Sequence, residues 1–93
     1  MHLRITWDER KNTINKKKHG VTFEEAQTVF YDENAVEFYD EKHSSEEDRL
    51  LLLGVSEQLR ILLVCHCFRE YKGEIRIISA RKATKKEQKE YRR

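Results

Sequence analysis

A histidine, three arginines and a glutamate in the last third of the chain are the residues best suited to chemistry: His66, Arg69, Glu74, Arg76 and Arg81. A hairpin joining residues 59–67 to 74–80 would bring the first four into one patch, with Arg81 directly after the second strand. Phosphodiester cleavage without a metal needs such a set. A base takes a proton from a ribose 2′-hydroxyl, arginines stabilise the charge on phosphorus, and an acid protonates the 5′-oxygen.

A purely structural interpretation of these residues is also open. Glu74 and Arg76 share one face of a strand, because residues two apart point the same way, and they could pair with neighbours on a solvated sheet surface. His66 could equally be a strand histidine whose ring is satisfied by its surroundings. Both interpretations require the same hairpin.

The sequence lacks other familiar catalytic and ligand-binding patterns. Its three isolated glycines form no glycine-rich phosphate loop, and no carboxylate cluster resembles a two-metal nuclease site. Cys65, His66 and Cys67 could contribute to a metal site, but structural zinc takes four ligands and no second cluster is present. The alternative is a pair of buried strand cysteines. We therefore expect no metal and no cofactor.

Length and composition indicate a single domain over residues 1–93. Charged residues make up 39% of the chain and hydrophobic residues 38%, but the apolar residues concentrate in runs, which favours folding over disorder. No run approaches the roughly 20 residues of a membrane span. The first residues lack the apolar region of a signal peptide. We expect a cytoplasmic protein that does not contact membranes.

The net charge of +2 hides an uneven distribution. The first twenty residues carry +4, the last thirteen carry +5, and the sixty between them carry −7. If both basic ends fold onto one surface, that surface attracts phosphate groups. The alternative is two solvated helices with lysine-rich faces.

The hydrophobic pattern predicts an α+β domain. Asp8 is expected to cap the first helix and Gly20 to end it, while Thr22–Glu25 and Thr84–Glu87 read as capping boxes. The predicted strands are 3–7, 35–39, 49–56, 59–67 and 74–80. The predicted helices are 9–19, 22–31 and 84–91.

This order of elements predicts two N-terminal helices and one C-terminal helix packed on a twisted antiparallel sheet. Residues 50–53 and 61–64 are apolar on both faces, which is typical of central strands. Glu57 and Gln58 would form a two-residue hairpin turn, and residues 40–48 an acidic loop. Trp7 is expected to anchor the first strand in the core.

Two long segments resemble the BrnT family of toxins from type II toxin–antitoxin systems. They read KHGVTFEEA at residues 18–26 and IRIISARKAT at residues 75–84. Shorter matches extend the resemblance over essentially the whole chain: Trp7-Asp8, Lys11, Asn15, Val29-Phe30-Tyr31-Asp32, Arg49, Gly54-Val55-Ser56, His66, Glu87 and Tyr91.

The resemblance implies a RelE-like fold and an endoribonuclease that cuts RNA without a bound metal, blocking translation and growth. It also implies a cognate BrnA-like antitoxin with a ribbon-helix-helix DNA-binding domain. The toxin would then contact operator DNA only indirectly, through this antitoxin. Two classes remain as alternatives. One is a nucleic-acid-binding module without catalysis, and the other is a protein-interaction partner.

The matched positions imply roles for individual residues. Arg76 and Arg81 are expected to stabilise phosphate and transition-state charge. Arg69 and Glu74 fall near the family's Arg-Gly-Glu-like turn, which is longer here. The residues expected to bind RNA are Lys18, His19, Lys82, Lys85 and Lys86, with Lys18 and His19 also candidates for proton transfer.

Helix capping is the competing interpretation of both long segments. Cations such as Lys18 and His19 suit the C-terminus of a helix, and Gly20 suits the left-handed residue that follows it. Residues 81–84 would likewise only lead into the last helix and cap it.

Overall fold

The structure is a computed structural model that describes residues 4–45 and 47–91. The strands in this part of the chain are β1 (Arg4–Thr6), β2 (Val36–Tyr39), β3 (Leu50–Val55), β4 (Ile61–Arg69) and β5 (Glu74–Lys82). The α-helices are α1 (Glu9–His19), α2 (Phe23–Thr28) and α3 (Lys85–Tyr91). None of these helices is long and apolar enough to cross a membrane. Leu3, predicted to lie in the first strand, is outside the described residues.

The five strands form one mixed sheet in the order β1-β5-β4-β3-β2. The neighbours among β2 to β5 are antiparallel, but β1 runs parallel to β5, with Ile5 opposite Ile75. The prediction of an antiparallel sheet is therefore wrong at this edge. A parallel pair needs a long crossover, which the intervening chain supplies, and a three-residue strand gives no local sign of its direction. β3 and β4 are interior strands, as predicted.

Local signals set the ends of α1 and α3 as predicted. The Arg10 N–H donates to the Asp8 carboxylate at 2.8 Å, and Gly20 follows α1 with a φ of 70°. At α3, the Glu87 N–H donates to the Thr84 hydroxyl while the Thr84 N–H donates to the Glu87 carboxylate. This is a complete capping box, which satisfies two backbone donors that the helix itself leaves free.

The capping box predicted for α2 forms only in half. The Glu25 N–H donates to the Thr22 hydroxyl at 3.1 Å, but the Glu25 carboxylate accepts hydrogen bonds from Arg60 and from the Ser56 hydroxyl. Glu25 is only 2% exposed, and the Arg60 guanidinium holds its pKa below the usual value. A charged partner 35 residues away has replaced the predicted contact with the backbone. The helix ends at Thr28, before a short 3₁₀ turn.

The helices cover the two faces of the sheet unequally. α1 and α2 pack on one face over the main core. Its buried members are Val21, Phe23, Ala26, Val29, Leu52, Leu62, Val64, Ile77 and Ala80. Trp7 packs against this core as predicted, with its ring edge-on to Phe23 at 6.2 Å. α3 covers only one end of the opposite face, near Leu53, Leu63 and Ala83, and we call this second face the open face.

A β-bulge interrupts the pairing of β4 with β5. Cys65 lies opposite Ser79, but His66 lies opposite Ile77. Ile78 is therefore the extra residue, and it shifts the alternation of β5 by one position. Odd-numbered side chains after Ile78 therefore point to the same face of the sheet as even-numbered side chains before it.

This shift places Arg76 and Arg81 on the same face. Residues five apart in a regular strand point to opposite faces. Here Arg76 is the partner of Cys67 and Arg81 is the partner of Leu63, and residues directly opposite one another share a face. Both arginines therefore project from the open face.

The β3–β4 connection has three residues instead of the predicted two. The Ser56 N–H donates to the Arg60 carbonyl at 2.9 Å, which leaves residues 57–59 as the loop. Leu59 has a φ of 62°, the left-handed conformation that commonly ends a three-residue loop. The two-residue prediction is wrong because such turns need residues of the Asn-Gly type, which this loop lacks.

Candidate active site

A groove of about 470 Å³ lies on the open face, between the end of α1, the sheet and α3. Its floor includes Leu51, Leu63, Cys65 and Ser79, one or two residues from each interior strand. Ionisable side chains surround this floor: His19, Asp40, Lys42, His43, Arg49, Arg81 and Glu87. A concave surface with arginines and imidazoles is suited to an anionic substrate that requires proton transfer.

Glu87 fixes the guanidinium of Arg81 at the groove. The two terminal nitrogens of Arg81 donate to the two carboxylate oxygens at 2.8 and 2.9 Å, a bidentate arrangement. Arg81 lowers the pKa of Glu87 to about 2, so this carboxylate stays ionised at neutral pH and is a weak base. Arg81 therefore reaches the groove as a positioned cation whose charge is partly balanced.

Arg49 is a groove residue to which the sequence pattern alone gave no role. It directly precedes β3, and its Nε is buried without a hydrogen-bond partner in the described part of the chain. Leaving a buried donor unpaired costs about 1–3 kcal/mol. The match of Arg49 to the family pattern is the signal that could have identified it.

Two histidines line the groove from different parts of the chain. His19 is the last residue of α1, where the sequence predicted an RNA-binding or proton-transfer residue. His43 lies in a 3₁₀ turn within the predicted acidic loop, and its Nδ1 is 3.0 Å from Asp40 Oδ2. A carboxylate at Nδ1 orients an imidazole and leaves Nε2 for chemistry. No local pattern marks His43 as functional, because only the tertiary fold brings its loop to the groove.

A buried asparagine holds α1 against the wall of the groove. The Asn15 amide nitrogen donates to the carbonyls of Val21 and Ala80, both at 2.8 Å, and its oxygen accepts from the Ala80 N–H at 3.1 Å. Ala80 is next to Arg81, so these bonds fix the distance between the end of α1 and the site arginine.

Arg76, Arg69 and Glu74 lie on the open face but outside the groove. The partners of Arg76 and Arg81 are four positions apart on β4, which is about 13 Å along the strand. Arg76 has no ion-pair partner among residues 4–45 and 47–91. Glu74 is buried between Arg4 at 3.4 Å and Arg69 at 3.6 Å, an arrangement typical of a structural ion pair.

His66 does not join the other predicted catalytic residues, so the predicted single patch is wrong. β4 continues to Arg69, and residues three apart on a strand point to opposite faces. The His66 ring is 2% exposed on the helix-covered face, where it meets Phe30 edge-on at 4.9 Å. Nδ1 lies 3.2 Å from the Val64 carbonyl oxygen, and burial lowers the pKa of the ring. These contacts match the structural interpretation of His66.

The residues predicted to bind RNA are spread over three parts of the surface. Lys18 lines a smaller groove that adjoins the main one at His19 and Ser79. Lys82 is exposed but, as the partner of Leu62, projects from the helix-covered face. The remaining two are exposed in the first turn of α3: Lys85 and Lys86.

The two cysteines are free thiols on the open face. Burial raises the pKa of both Cys65 and Cys67, which keeps them protonated and unfavourable as metal ligands. His66 points away from them to the opposite face. Within the described ranges, no three His, Cys, Asp or Glu side chains are grouped so as to hold a metal ion.

The chain is thus a small α+β protein with a groove whose arginines and imidazoles are suited to an anionic substrate. A family model described as "Ribonuclease toxin, BrnT, of type II toxin-antitoxin system" matches residues 7–87, and the chain belongs to this family. It is therefore the toxin component of a type II toxin–antitoxin system with a ribonuclease role. This membership implies an antitoxin partner and an RNA substrate.

A solved structure supports the same assignment. The ribonuclease toxin BrnT of Brucella abortus, known from a crystal structure at 1.1 Å, is 27% identical and aligns with a TM-score of 0.68. The match covers 90% of this chain and 100% of that chain. The resemblance stated from the sequence is thus confirmed. None of the curated proteins matches the chain.

Proposed function

We propose that this toxin is a metal-independent endoribonuclease of RelE-like fold that acts in the cytoplasm, with the groove as its active site. The observation that carries the proposal is the convergence of His19, His43, Arg49 and Arg81 on that groove. These are the residue types that cleave RNA without help from a metal. Cutting RNA would block translation and growth.

The reaction is an attack by the ribose 2′-oxygen on the adjacent phosphorus. A base removes the 2′-hydroxyl proton, the new P–O2′ bond forms, and the P–O5′ bond breaks as an acid protonates the 5′-oxygen. The products are a 2′,3′-cyclic phosphate and a 5′-hydroxyl. His43 suits the base, because Asp40 stabilises the imidazolium that forms. His19 suits the acid on the other side of the groove.

The arginines supply the stabilisation of negative charge. Arg81 is held in place by Glu87 before substrate binds, and Arg49 brings a second guanidinium to the groove. One such donor is worth roughly 10²–10³ in rate. Arg76, with no ion pair in the described chain and about 13 Å along the strand from Arg81, suits a more distant phosphate of the same RNA.

The basic surface beside the groove suits the rest of the RNA strand. Lys18 extends the groove along α1, and the first turn of α3 adds Lys85 and Lys86 on the other side. Phosphate contacts of this kind make binding strongly salt-dependent. Arg69 and Glu74 are proposed to support the strand ends near Arg76, and His66 to pack the core.

The test is cleavage of a mixed-sequence RNA by the purified protein in EDTA. We expect Arg49→Ala to lower kcat by roughly 10²–10³ and His43→Asn by roughly 10²–10⁴. Arg10→Ala is the matched control, because Arg10 is an exposed arginine at the other end of α1. Thermal unfolding establishes that each variant is folded.

Three results would contradict the proposal. Activity lost in EDTA and restored by Mg²⁺ would refute metal independence. Full activity of the Arg49 and His43 variants would place the active site elsewhere. Tight RNA binding without cleavage, on free RNA and on translating ribosomes alike, would leave a binding module.

We further propose that the antitoxin is a BrnA-like ribbon-helix-helix protein that presents acidic groups to the groove and to α3. The support is the uneven charge of the chain: the last thirteen residues carry a net charge of +5, whereas residues 21–80 carry −7. Replacing Lys85, Lys86 and Lys89 by alanine should weaken the complex and flatten its salt dependence. If the unmodified toxin and the triple variant bind the antitoxin with equal affinity, at low and at high salt, this electrostatic docking is ruled out.

A further inference from the structure

A second cavity opens beside the groove, between the edge strand β2 and α3. It has a volume of about 230 Å³ and is lined by Phe38, Leu51, Leu53, Leu63, Glu87 and Glu90. Phe38 stands at its outer side with 36% of its surface exposed. Phe38 is the partner of Leu51 in the β2–β3 pairing, so its ring projects from the open face, as the groove does. We call this cavity the aromatic slot.

The aromatic slot adjoins the groove. Leu51, Leu63 and Glu87 line both cavities. A molecule whose phosphate lies between Arg49 and Arg81 would therefore have its next group beside the slot. The volume lies below the ~300–1,000 Å³ of pockets for drug-sized ligands, which suits a single planar ring system.

The chemistry of the slot excludes phosphate and favours a neutral ring. Its walls are leucines and one phenylalanine, and in the described chain its lining includes two glutamates but no Lys, Arg or His. Apolar walls without a cation give a phosphate nothing to replace its hydration. An unstacked base of single-stranded RNA has the opposite character, because its faces are apolar and stack on aromatic side chains.

We propose that the aromatic slot holds the base of a nucleotide next to the scissile phosphate, with the Phe38 ring as its stacking platform. Phe38 is thereby a substrate-positioning residue that orients the sugar whose 2′-hydroxyl or 5′-oxygen reacts. This inference rests on the proposed ribonuclease function and adds to it the element that chooses where the RNA is cut.

The experiment compares Phe38 variants on RNAs with and without that base. The cleavage site is first mapped on a mixed-sequence RNA, and two oligonucleotides are then made with an abasic ribose on either side of the cut. We expect one abasic substrate to lose about 5- to 150-fold in kcat/KM with the unmodified protein, the range for one base–aromatic stack. Phe38→Ala should lose a similar factor on the intact RNA.

The two losses should not add, and this separates stacking from a general structural effect. On the sensitive abasic substrate, Phe38→Ala should cost less than about 2-fold more, since the ring has no base to contact. Phe38→Tyr should restore most of the activity. Phe68→Ala is the matched control, because Phe68 is a similarly exposed phenylalanine that lies on the opposite face. It should cleave both RNAs like the unmodified protein.

A binding measurement distinguishes failure of the slot from failure of the ribonuclease proposal. Fluorescence anisotropy with a 2′-deoxy analogue at the cut reports binding without cleavage. If the protein cuts RNA but Phe38→Ala and the abasic substrates behave normally, the slot is refuted and the ribonuclease stands. If no RNA is cut, abasic positions are scanned along a fluorescent oligonucleotide, and a binding penalty that disappears in Phe38→Ala still supports the slot. If Phe38→Ala weakens only antitoxin binding, the slot belongs to that protein and the base assignment is wrong.

Discussion

Replacing Asn15 by alanine tests whether one buried amide holds α1 to the sheet beside the candidate active site. Asn15 is 5% exposed and makes three hydrogen bonds, one to Val21 and two to Ala80. Alanine removes all three and leaves the backbone groups of Val21 and Ala80 without these partners. The change therefore acts on the junction between α1 and β5, beside the groove that His19 and Arg81 line.

The expected loss follows from the number of bonds. A hydrogen bond within a protein contributes about 0.5–1.5 kcal/mol net, so three of them give about 2–4 kcal/mol. Small domains are stable by about 5–15 kcal/mol in total, so the variant should fold but with little margin. For a chain of this size each kcal/mol shifts Tm by about 4–8 °C, which predicts a fall of roughly 8–32 °C.

Urea unfolding followed by circular dichroism measures the loss directly, and a thermal scan measures the shift in Tm. Asn34→Ala is the matched control, because Asn34 is an exposed asparagine and its loss should stay within about 0.5 kcal/mol. RNA cleavage by the folded fraction of Asn15→Ala should also fall, since α1 no longer fixes His19. A loss no greater than that of Asn34→Ala would refute the role assigned to this amide.

Three further changes test other contacts. Gly54→Ala should destabilise by about 1–3 kcal/mol in urea unfolding, because the new methyl group would come within 3.0 Å of three side-chain atoms. Arg60→Leu should cost about 3–5 kcal/mol at pH 7, because it leaves Glu25 buried and unpaired, and less at pH 4, where Glu25 can take up a proton. The Glu87 pKa falls from 4.5 to about 2 beside Arg81. Its ion pair therefore stabilises the fold above pH 4.5, and this contribution disappears as the pH falls towards 2. Because the pair is partly exposed, we expect about 1 kcal/mol, and Glu87→Gln should remove that part of the pH dependence.

The predicted elements were largely correct because their signals are local. Asp8 and Thr84 cap their helices through bonds to residues two or three positions away, and Gly20 takes the left-handed conformation that ends α1. Each of these interactions requires only neighbouring residues. The capping box predicted at Glu25 was incomplete for the complementary reason: its side chain pairs with Arg60, which is 35 residues away in the sequence.

The arrangement of the candidate site could not be predicted in the same way. The parity of β5 depends on the bulge at Ile78, which exists only because β4 pairs with β5 in a shifted register. The length of β4 decides that His66 faces the helices while Arg69 faces the other way. Strand alternation is exact only between irregularities, so an error of one residue reverses every later side chain.

By itself, the sequence determined the family, the order of helices and strands, and the arginines of the last strand as candidates for phosphate chemistry. Only the tertiary structure decided that β1 joins the sheet in parallel, that Arg76 and Arg81 share a face, and that His43 and Arg49 reach the groove that His19 also lines. The physical reason is the range of the interactions involved. Caps and periodicity depend on residues a few positions apart, whereas register, bulges and the convergence of loops depend on contacts between segments separated by tens of residues.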